Sequence, residues 1–515
     1  MPPHSDPEPS AMSQTIRFLL DGREVQVGGL APTTTLLDWL REHAGRSGTK
    51  EGCAEGDCGA CTVVLAEAHE GRLRWQAVNA CIRFLPTVHG KALFTVESLR
   101  AADGTLHPAQ RAMVECHGSQ CGFCTPGFVM SLFGLYQTQP KPDDTALADA
   151  LSGNLCRCTG YRPILDAGRQ MYALPAPHSA QLPPPAWRND PAAEAALLTR
   201  LAALDDGEAL RIDHPSGRYL APCSATDFAR QYAEAPQATI LAGGTDVGLW
   251  VTKQLKPLPL LLHTGAVREF AHAGEYRDAR GNWLEIGAAV SLETAFAALL
   301  REYPEATELY RRFASRPIRN SGTLCGNVAN GSPIGDSMPA LIALGAEVVL
   351  RRDQQVRSLP LEALYLDYRK KDLAAGEFVQ AVRIPRRPAQ AGFVFRAWKV
   401  AKRQDQDISA VFAGFALRLE DGIVVDARLA YGGMAGIPKR AAGAEAALRG
   451  RPLDEAAVAD ARAALAKDFQ PLSDMRASAG YRLQVAQNLL TRLQLELQGQ
   501  FPTRIHDEES RRAAV

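Results

Sequence analysis

GCAEGDCGACTV, residues 52–63, is the stretch on which the reading of this chain turns. It sets Cys53, Cys58 and Cys61 at C-x4-C-x2-C spacing, and Cys81 follows on a separate segment. This is the ligand spacing of a plant-type [2Fe–2S] cluster. A two-iron cluster is compact, so three thiolates must come from one tight loop. Gly52, Gly56 and Gly59 let that backbone wrap closely and aim amides at sulfur. The competing readings are structural zinc and free thiols. Zinc usually takes two C-x2-C knuckles, which this is not.

The flanking sequence gives that loop a small α+β frame. In TIRFLLDGREVQV (15–27), Ile16, Phe18 and Leu20 alternate, then Val25 and Val27, across Asp21-Gly22. This predicts a β-hairpin with a two-residue turn. TLLDWLREHA (35–44) predicts a short helix with Thr35 and Asp38 at capping-box spacing. Residues 49–61 read as an irregular loop and TVVLA (62–66) as a buried strand.

From about 97 to 173 the pattern turns helical. Thr125-Pro126 places a capping residue before a proline at the first helical position, and Val129, Leu132, Phe133 and Tyr136 follow at helical spacing. Residues 143–151 and 163–172 read as two more helices, stopped by Gly153 and Gly160. This region holds a second set of cysteines: Cys121 and Cys124 as C-x2-C, Cys156 and Cys158 as C-x-C. Successive helical residues point about 100° apart, so a C-x-C pair must sit at a turn or helix start. By spacing alone this set fits iron–sulfur or zinc. Cys116 completes no pattern and is expected as a buried thiol.

The whole-chain numbers bound the class. The 515 residues suggest about three domains. Lys+Arg and Asp+Glu balance at 57 each, which argues against a nucleic-acid-binding or polybasic membrane-binding face. No apolar run approaches the roughly 20 residues of a membrane span. The start, MPPHSDPEPSA, lacks the basic and apolar regions of a signal peptide and reads as a short disordered leader, so a cytoplasmic location is expected. Nine of the 11 cysteines fall between Cys53 and Cys158, which favours metal ligation or redox chemistry over disulfides.

LPAPHSAQLPPPAWRNDPA (174–192) carries six prolines without periodicity and reads as a linker. Beyond it, strands and helices alternate to about 390. Three long strands (393–431) and alanine-rich helices at 439–449, 454–467 and 478–498 follow. TILAGGTDVG (239–248) reads as a strand, a double glycine and a helix start. It fits a phosphate-approaching loop or a plain βα turn, and it is not G-x-G-x-x-G. FASRPIRNSGTLCGNVANGSPIGDSMPAL (313–341) is long and polar, as functional loops are.

Together, GCAEGDCGACTV, QCGFCTPG and NLCRCTGYRPI resemble the paired [2Fe–2S] signature of the molybdenum hydroxylase (xanthine dehydrogenase/aldehyde oxidase) family. The resemblance implies a multidomain α+β fold. It comprises a ferredoxin-like [2Fe–2S] domain (13–95), a helical-bundle [2Fe–2S] domain (96–173), a linker (174–207), an FAD-binding domain (208–390) and a C-terminal flavoprotein domain (391–500). It implies one cluster on Cys53, Cys58, Cys61 and Cys81, and another on Cys121, Cys124, Cys156 and Cys158. Gln120 matches the family glutamine that touches the pterin.

The segment 313–341 resembles the family's second flavin-binding segment, where GT-x-GGN and SP-x-xD recur; Cys325 stands where glycine is usual. The implied FAD contacts are Leu241, Ala242, Gly243, Gly244, Thr245, Asp246, Val247, Gly248, Phe313, Thr323, Asn327, Asp336 and Lys399. In that reading the loop amides and Thr245 hold the diphosphate. Asn327 and Asp336 bond ribityl or ribose hydroxyls, and Lys399 lies beside the isoalloxazine. The resemblance further implies a separate large partner subunit carrying molybdopterin and the substrate pocket, in a two-plus-two heterotetramer. Electrons from oxidation of hypoxanthine or xanthine would pass through both clusters to FAD and on to NAD+, with O2 the other acceptor known in the family. An aldehyde or N-heterocycle substrate is the sibling reading, and a non-enzymatic redox sensor or zinc scaffold the one from another class. No catalytic acid or base, no nucleic acid and no membrane are expected for this chain.

Overall fold

The computed structural model describes residues 12–101, 103–175, 190–389, 391–404 and 406–499. The leader reading (1–11) and most of the linker (176–189) lie outside these. The chain forms two compact units. The first is residues 1–271 with 291–293 and 314–323; the second is 272–290, 294–313 and 324–515. Residues 208–390, expected as one domain, are shared between them. Among the described residues no helix is long and apolar enough to cross a membrane.

The first unit opens with a five-stranded sheet in the order 23–27, 16–20, 92–94, 62–69, 72–79. The expected hairpin is present, with Ile16 opposite Val27. The sheet is covered on both faces. Phe18, Leu20, Val63 and Leu65 pack with Leu36, Leu37 and Leu40 on one side. Leu19, Val64 and Ala66 pack with Phe128, Leu132 and Phe133 on the other. Double coverage explains why TVVLA is apolar without alternation.

The 35–44 helix starts as predicted, with Thr35 accepting from the Asp38 amide, but Trp39–His43 winds as a π-helix. Helices then run over Pro108–Glu115, Thr125–Thr138, Asp144–Leu151 and Arg162–Gln170. Thr125 is not the cap. Cys124 occupies that position, and the Thr125 hydroxyl donates instead to Ser119 Oγ at 2.7 Å. The reason is chemical: the helix start carries a thiol of the second set. Within the expected linker, Pro191–Ala202 is a helix capped by Asp190. Its Leu197 and Leu201 are buried in the same core as the bundle, because proline at the first helical position starts a helix as readily as it ends one.

A second sheet in this unit has the order 12–13, 209–214, 217–221, 260–263, 239–241. Segments 291–293 and 314–323 join this unit through fully buried Arg319, whose guanidinium reaches Asp149 at 2.6 Å and Glu293 at 2.8 Å.

The second unit has a five-stranded sheet in the order 273–278, 281–287, 378–385, 347–352, 355–360. Strands 393–400, 411–420, 423–432 and 439–440 form another sheet. Helices Ala442–Leu448, Glu455–Asp468 and Ala479–Leu497 cover its inner face, as the sequence predicts. Trp398, Phe415, Tyr431 and Phe469 stack edge to face through that core, with ring centroids 5.4–5.7 Å apart.

Candidate functional site

The C-x4-C-x2-C loop brings its thiols together with Cys81, which is carried just past strand 72–79. The Cys58 amide donates to Cys53 Sγ at 3.3 Å, and the Asn79 amide approaches Cys61 Sγ at 4.0 Å. Thiols of Cys58 and Cys81 share protons with Cys53, holding Cys53 well below the usual thiol range. The same contacts push Cys58 and Cys81 far up. Cys61, in contact with Cys81, is held low. All four sulfurs therefore converge. Cys61 and Cys81 are buried, and Cys53 and Cys58 are half-buried.

The second set converges too. Cys121 meets Cys158, and Cys124 meets Cys156. Burial and the Cys156 contact push Cys124 up to about 12. Cys156 Sγ also lies 3.2 Å from Thr159 Oγ1, and its amide donates to Tyr161 Oη at 3.0 Å. Tyr161 holds a left-handed backbone (φ 68°) to make that turn. Cys121, Cys158 and Gln120 are exposed, while Cys156 is buried. Cys116 is half-buried rather than buried, and donates to Gln170 Oε1 at 2.8 Å, apart from both sets.

Among the described residues no group of three or more Cys, His, Asp or Glu side chains is arranged around a single-ion position. A two-iron cluster takes its four thiolates in pairs. The donor chemistry and the glycine-wrapped loop fit such a cluster at both sets.

A joint locks the two cysteine segments together, and sequence reasoning missed its key residue. Gly59 is left-handed (φ 70°), and a Cβ there would lie 2.1 Å from the Gly153 carbonyl oxygen. A Cβ on Gly127 would lie equally close to the Gly59 oxygen. Into this contact buried Asn154 donates to Gly59 O (3.1 Å) and Thr62 Oγ1 (3.2 Å) and accepts from Ser131. The Leu155 amide donates to Cys58 O at 3.0 Å. Asn154 was visible only as the residue opening NLCRC.

The flavin candidates fall in both units. In the first, strand Thr239–Leu241 feeds a loop in which Gly244 is left-handed (φ 76°), then the helix Val247–Thr252. Among the described residues no acceptor meets the amides of Gly243, Gly244, Thr245 and Asp246. Such a run of unpaired amides fits a diphosphate. Ser321 O packs where a Gly243 Cβ would sit, and Thr245 Oγ1 borders Gly322, so Thr323 and this loop adjoin. Asp246 is raised by burial.

In the second unit, Lys399 is buried and its Nζ donates to Asp336 Oδ2 at 2.6 Å; Ser409 Oγ donates to Oδ1 at 2.5 Å. Asn327 Oδ1 accepts from Ser337 Oγ. Asn327, Asp336 and Lys399 are thus brought together, and Phe313 packs on Phe296 with ring centroids 5.2 Å apart. The lysine charge is already balanced by Asp336. Cys325 points into the interior and donates to Ile286 O at 3.3 Å, so its thiol fills a packing position. Ser409 carried no sequence signal.

Comparison with known proteins matches each part. Residues 18–84 match the 2Fe-2S iron-sulfur cluster binding domain and 95–169 the [2Fe-2S] binding domain. Residues 214–387 match the FAD binding domain in molybdopterin dehydrogenase, and 396–497 the CO dehydrogenase flavoprotein C-terminal domain. Xanthine dehydrogenase of Emericella nidulans is 31% identical, over 88% of this chain and 36% of that protein. Xanthine dehydrogenase of Drosophila subobscura is 32% identical, over 81% and 34%. Aldehyde oxidase 4 of Cavia porcellus is 31% identical, over 82% and 34%. The chain spans about a third of the length of these relatives. Among solved structures, a Cu,Mo-CO dehydrogenase chain aligns at 26% identity and TM-score 0.49, over 53% of this chain and 94% of that one. Four domain matches in one order, on a fold that assembles both four-thiol sets, place this chain in the molybdenum hydroxylase family, carrying its two 2Fe-2S domains and its FAD-binding and flavoprotein C-terminal domains.

Proposed function

We propose that this chain is the electron-transfer part of a xanthine dehydrogenase, working with a molybdopterin-binding large subunit in a heterotetramer and reducing NAD+. When bound, two [2Fe–2S] clusters carry single electrons and FAD pairs them for a two-electron acceptor. The observation that carries this reading is the pair of convergent four-thiol sets joined through Asn154 and the Leu155–Cys58 hydrogen bond. Cys53, Cys58, Cys61 and Cys81 would hold one cluster; Cys121, Cys124, Cys156 and Cys158 the other. The amides of 243–246 would hold the FAD diphosphate, with Thr323, Asn327, Asp336, Phe313 and Lys399 as further contacts. Asp336 orients Lys399 through the ion pair and retains acceptor capacity beyond its two present bonds.

The partner side is argued from exposure. Cys121 and Cys158 are open to solvent, and Phe123 (46% exposed), Leu155 (50%) and Tyr161 (39%) flank them. Apolar side chains around exposed ligands suit a docking face for the molybdopterin-bearing chain, with Gln120 facing the pterin. A cytoplasmic setting is consistent with 11 unpaired cysteines. An aldehyde or N-heterocycle substrate is the second reading, favoured by the likeness to aldehyde oxidase 4. Assay of the complex with xanthine against an aldehyde panel decides between them. Mixing the FAD-loaded chain with NADH should bleach the flavin absorbance; no bleaching with FAD fully bound would count against a nicotinamide site here.

A further inference from the structure

Ala54 follows the first thiol of the C-x4-C-x2-C loop and holds a left-handed backbone (φ 53°). Alanine takes that conformation at a cost, because its Cβ crowds the following carbonyl, and it persists where surrounding structure holds it. The hold comes from the far end of helix Val247–Thr252. The half-buried Thr252 hydroxyl donates to Ala54 O at 2.8 Å, and Lys253 Nζ donates to Cys53 O. Lys253 Nζ also lies 3.6 Å from Glu55 Oε2, so residues 53–55 are clasped in turn. The same helix meets the segment of the fourth thiol. A Cβ on Gly248 would stand 2.4 Å from the oxygen of Ile82, the residue after Cys81. Val247, Leu249, Trp250 and Val251 pack on the core that contains Cys61, Cys81 and Ile82.

One helix of six residues thus touches both chain segments that carry the first thiol set. At its other end it follows the loop whose Gly243–Asp246 amides fit a diphosphate. We propose that Thr252 and Lys253 are positioning residues of the plant-type cluster, and that through their helix FAD in the 243–246 loop strengthens the hold on that cluster. This rests on the readings that Cys53, Cys58, Cys61 and Cys81 hold a [2Fe–2S] cluster and that residues 243–246 hold the FAD diphosphate. The carbonyls of Cys53 and Ala54 belong to the two rigid peptide planes that flank the Ala54 Cα. Holding both fixes φ and ψ at Ala54, and with them the direction in which Cys53 faces Cys58. Helix formation is cooperative, so a ligand that orders the start of so short a helix orders its end as well. Coupling of this kind is reciprocal: a filled cluster loop strengthens FAD binding by the same factor.

The test is iron release to a chelator from the full chain loaded with iron and FAD, followed by electron paramagnetic resonance of the reduced clusters. The signal that survives Cys156→Ser marks the plant-type cluster. Removing FAD from the wild type should speed loss of plant-type iron about fivefold or more and leave the helical-domain cluster in place. Thr252→Val combined with Lys253→Met should speed the loss about fivefold or more under saturating FAD, and removal of FAD should then add nothing further. Thr252→Ser should keep the wild-type rate. A merely structural role would not make iron loss depend on FAD. If the double variant does not fold, Thr252→Val alone must show a smaller acceleration of the same kind. Release of plant-type iron at one rate with and without FAD overturns the coupling, and wild-type release from the variants overturns the clasp. A wild-type chain that holds iron but no FAD overturns the flavin reading and the coupling with it. Absence of iron from the wild type overturns the cluster reading and the whole proposal.

Discussion

At Lys399 a single residue shows what a sequence can and cannot say. Its place on a strand was legible, and so was its match to a flavin-side lysine. Its partner was not, because Asp336 lies 63 residues away and no local pattern links them. The structure makes the two a buried ion pair, with each side chain about 5% exposed or less. Removing one member strands the other, at about 3–5 kcal/mol. Asp336→Asn should therefore lower stability by about that amount in urea unfolding, and a change below 1 kcal/mol would mean that the pair behaves like a surface one. Cys325 gives the opposite lesson. It stands where the family usually has glycine, and burial against Ile286 O makes its thiol a packing group.

Elements were legible where their signals are local. The hairpin at 16–27 and the last three helices follow from alternation, turn residues and apolar periodicity. The π-turn at 39–43, the Cys124 cap and the helix at 191–202 were not legible, since each is decided by tertiary packing or by ligand placement. The joint between the cysteine segments makes a prediction of its own. Gly59→Ala imposes a left-handed alanine, about 1–2 kcal/mol, and drives its Cβ into Gly153 O. It should reduce both thermal stability and iron bound per chain; normal iron with an unchanged melting temperature would remove the joint's importance.

Helix Pro108–Glu115 carries a pH response. Fully buried His107 caps it through Nδ1, which accepts from the Ala109 amide at 3.1 Å and so must stay unprotonated. Burial pushes His107 down to about 3, and His263 likewise. Between pH 6.5 and 3 the unfolded chain therefore binds more protons than the folded one, and stability falls as pH falls. By pH 5 each histidine should cost about 2 kcal/mol. His107→Asn, which keeps a cap without the titration, should flatten the decline in melting temperature between pH 7 and 5.

Over the whole molecule, the order of four parts could be read because cysteine spacings and glycine loops are contiguous in sequence. The sharing of 208–390 between two units could not, because it depends on Arg319 reaching Asp149 across 170 positions. The proposed docking face belongs to this scale. Phe123→Asp should weaken recovery of a molybdopterin-bearing partner about tenfold or more while leaving iron content intact; unchanged recovery would move the interface elsewhere. The central claim, eight thiolates holding two iron clusters, is tested most directly by metal analysis and electron paramagnetic resonance of the reduced chain with and without Cys156→Ser. The account predicts about four iron atoms per chain, two distinct signals in the wild type, and loss of one signal alone in the variant. Zinc in place of iron, or two signals surviving the substitution, would contradict it.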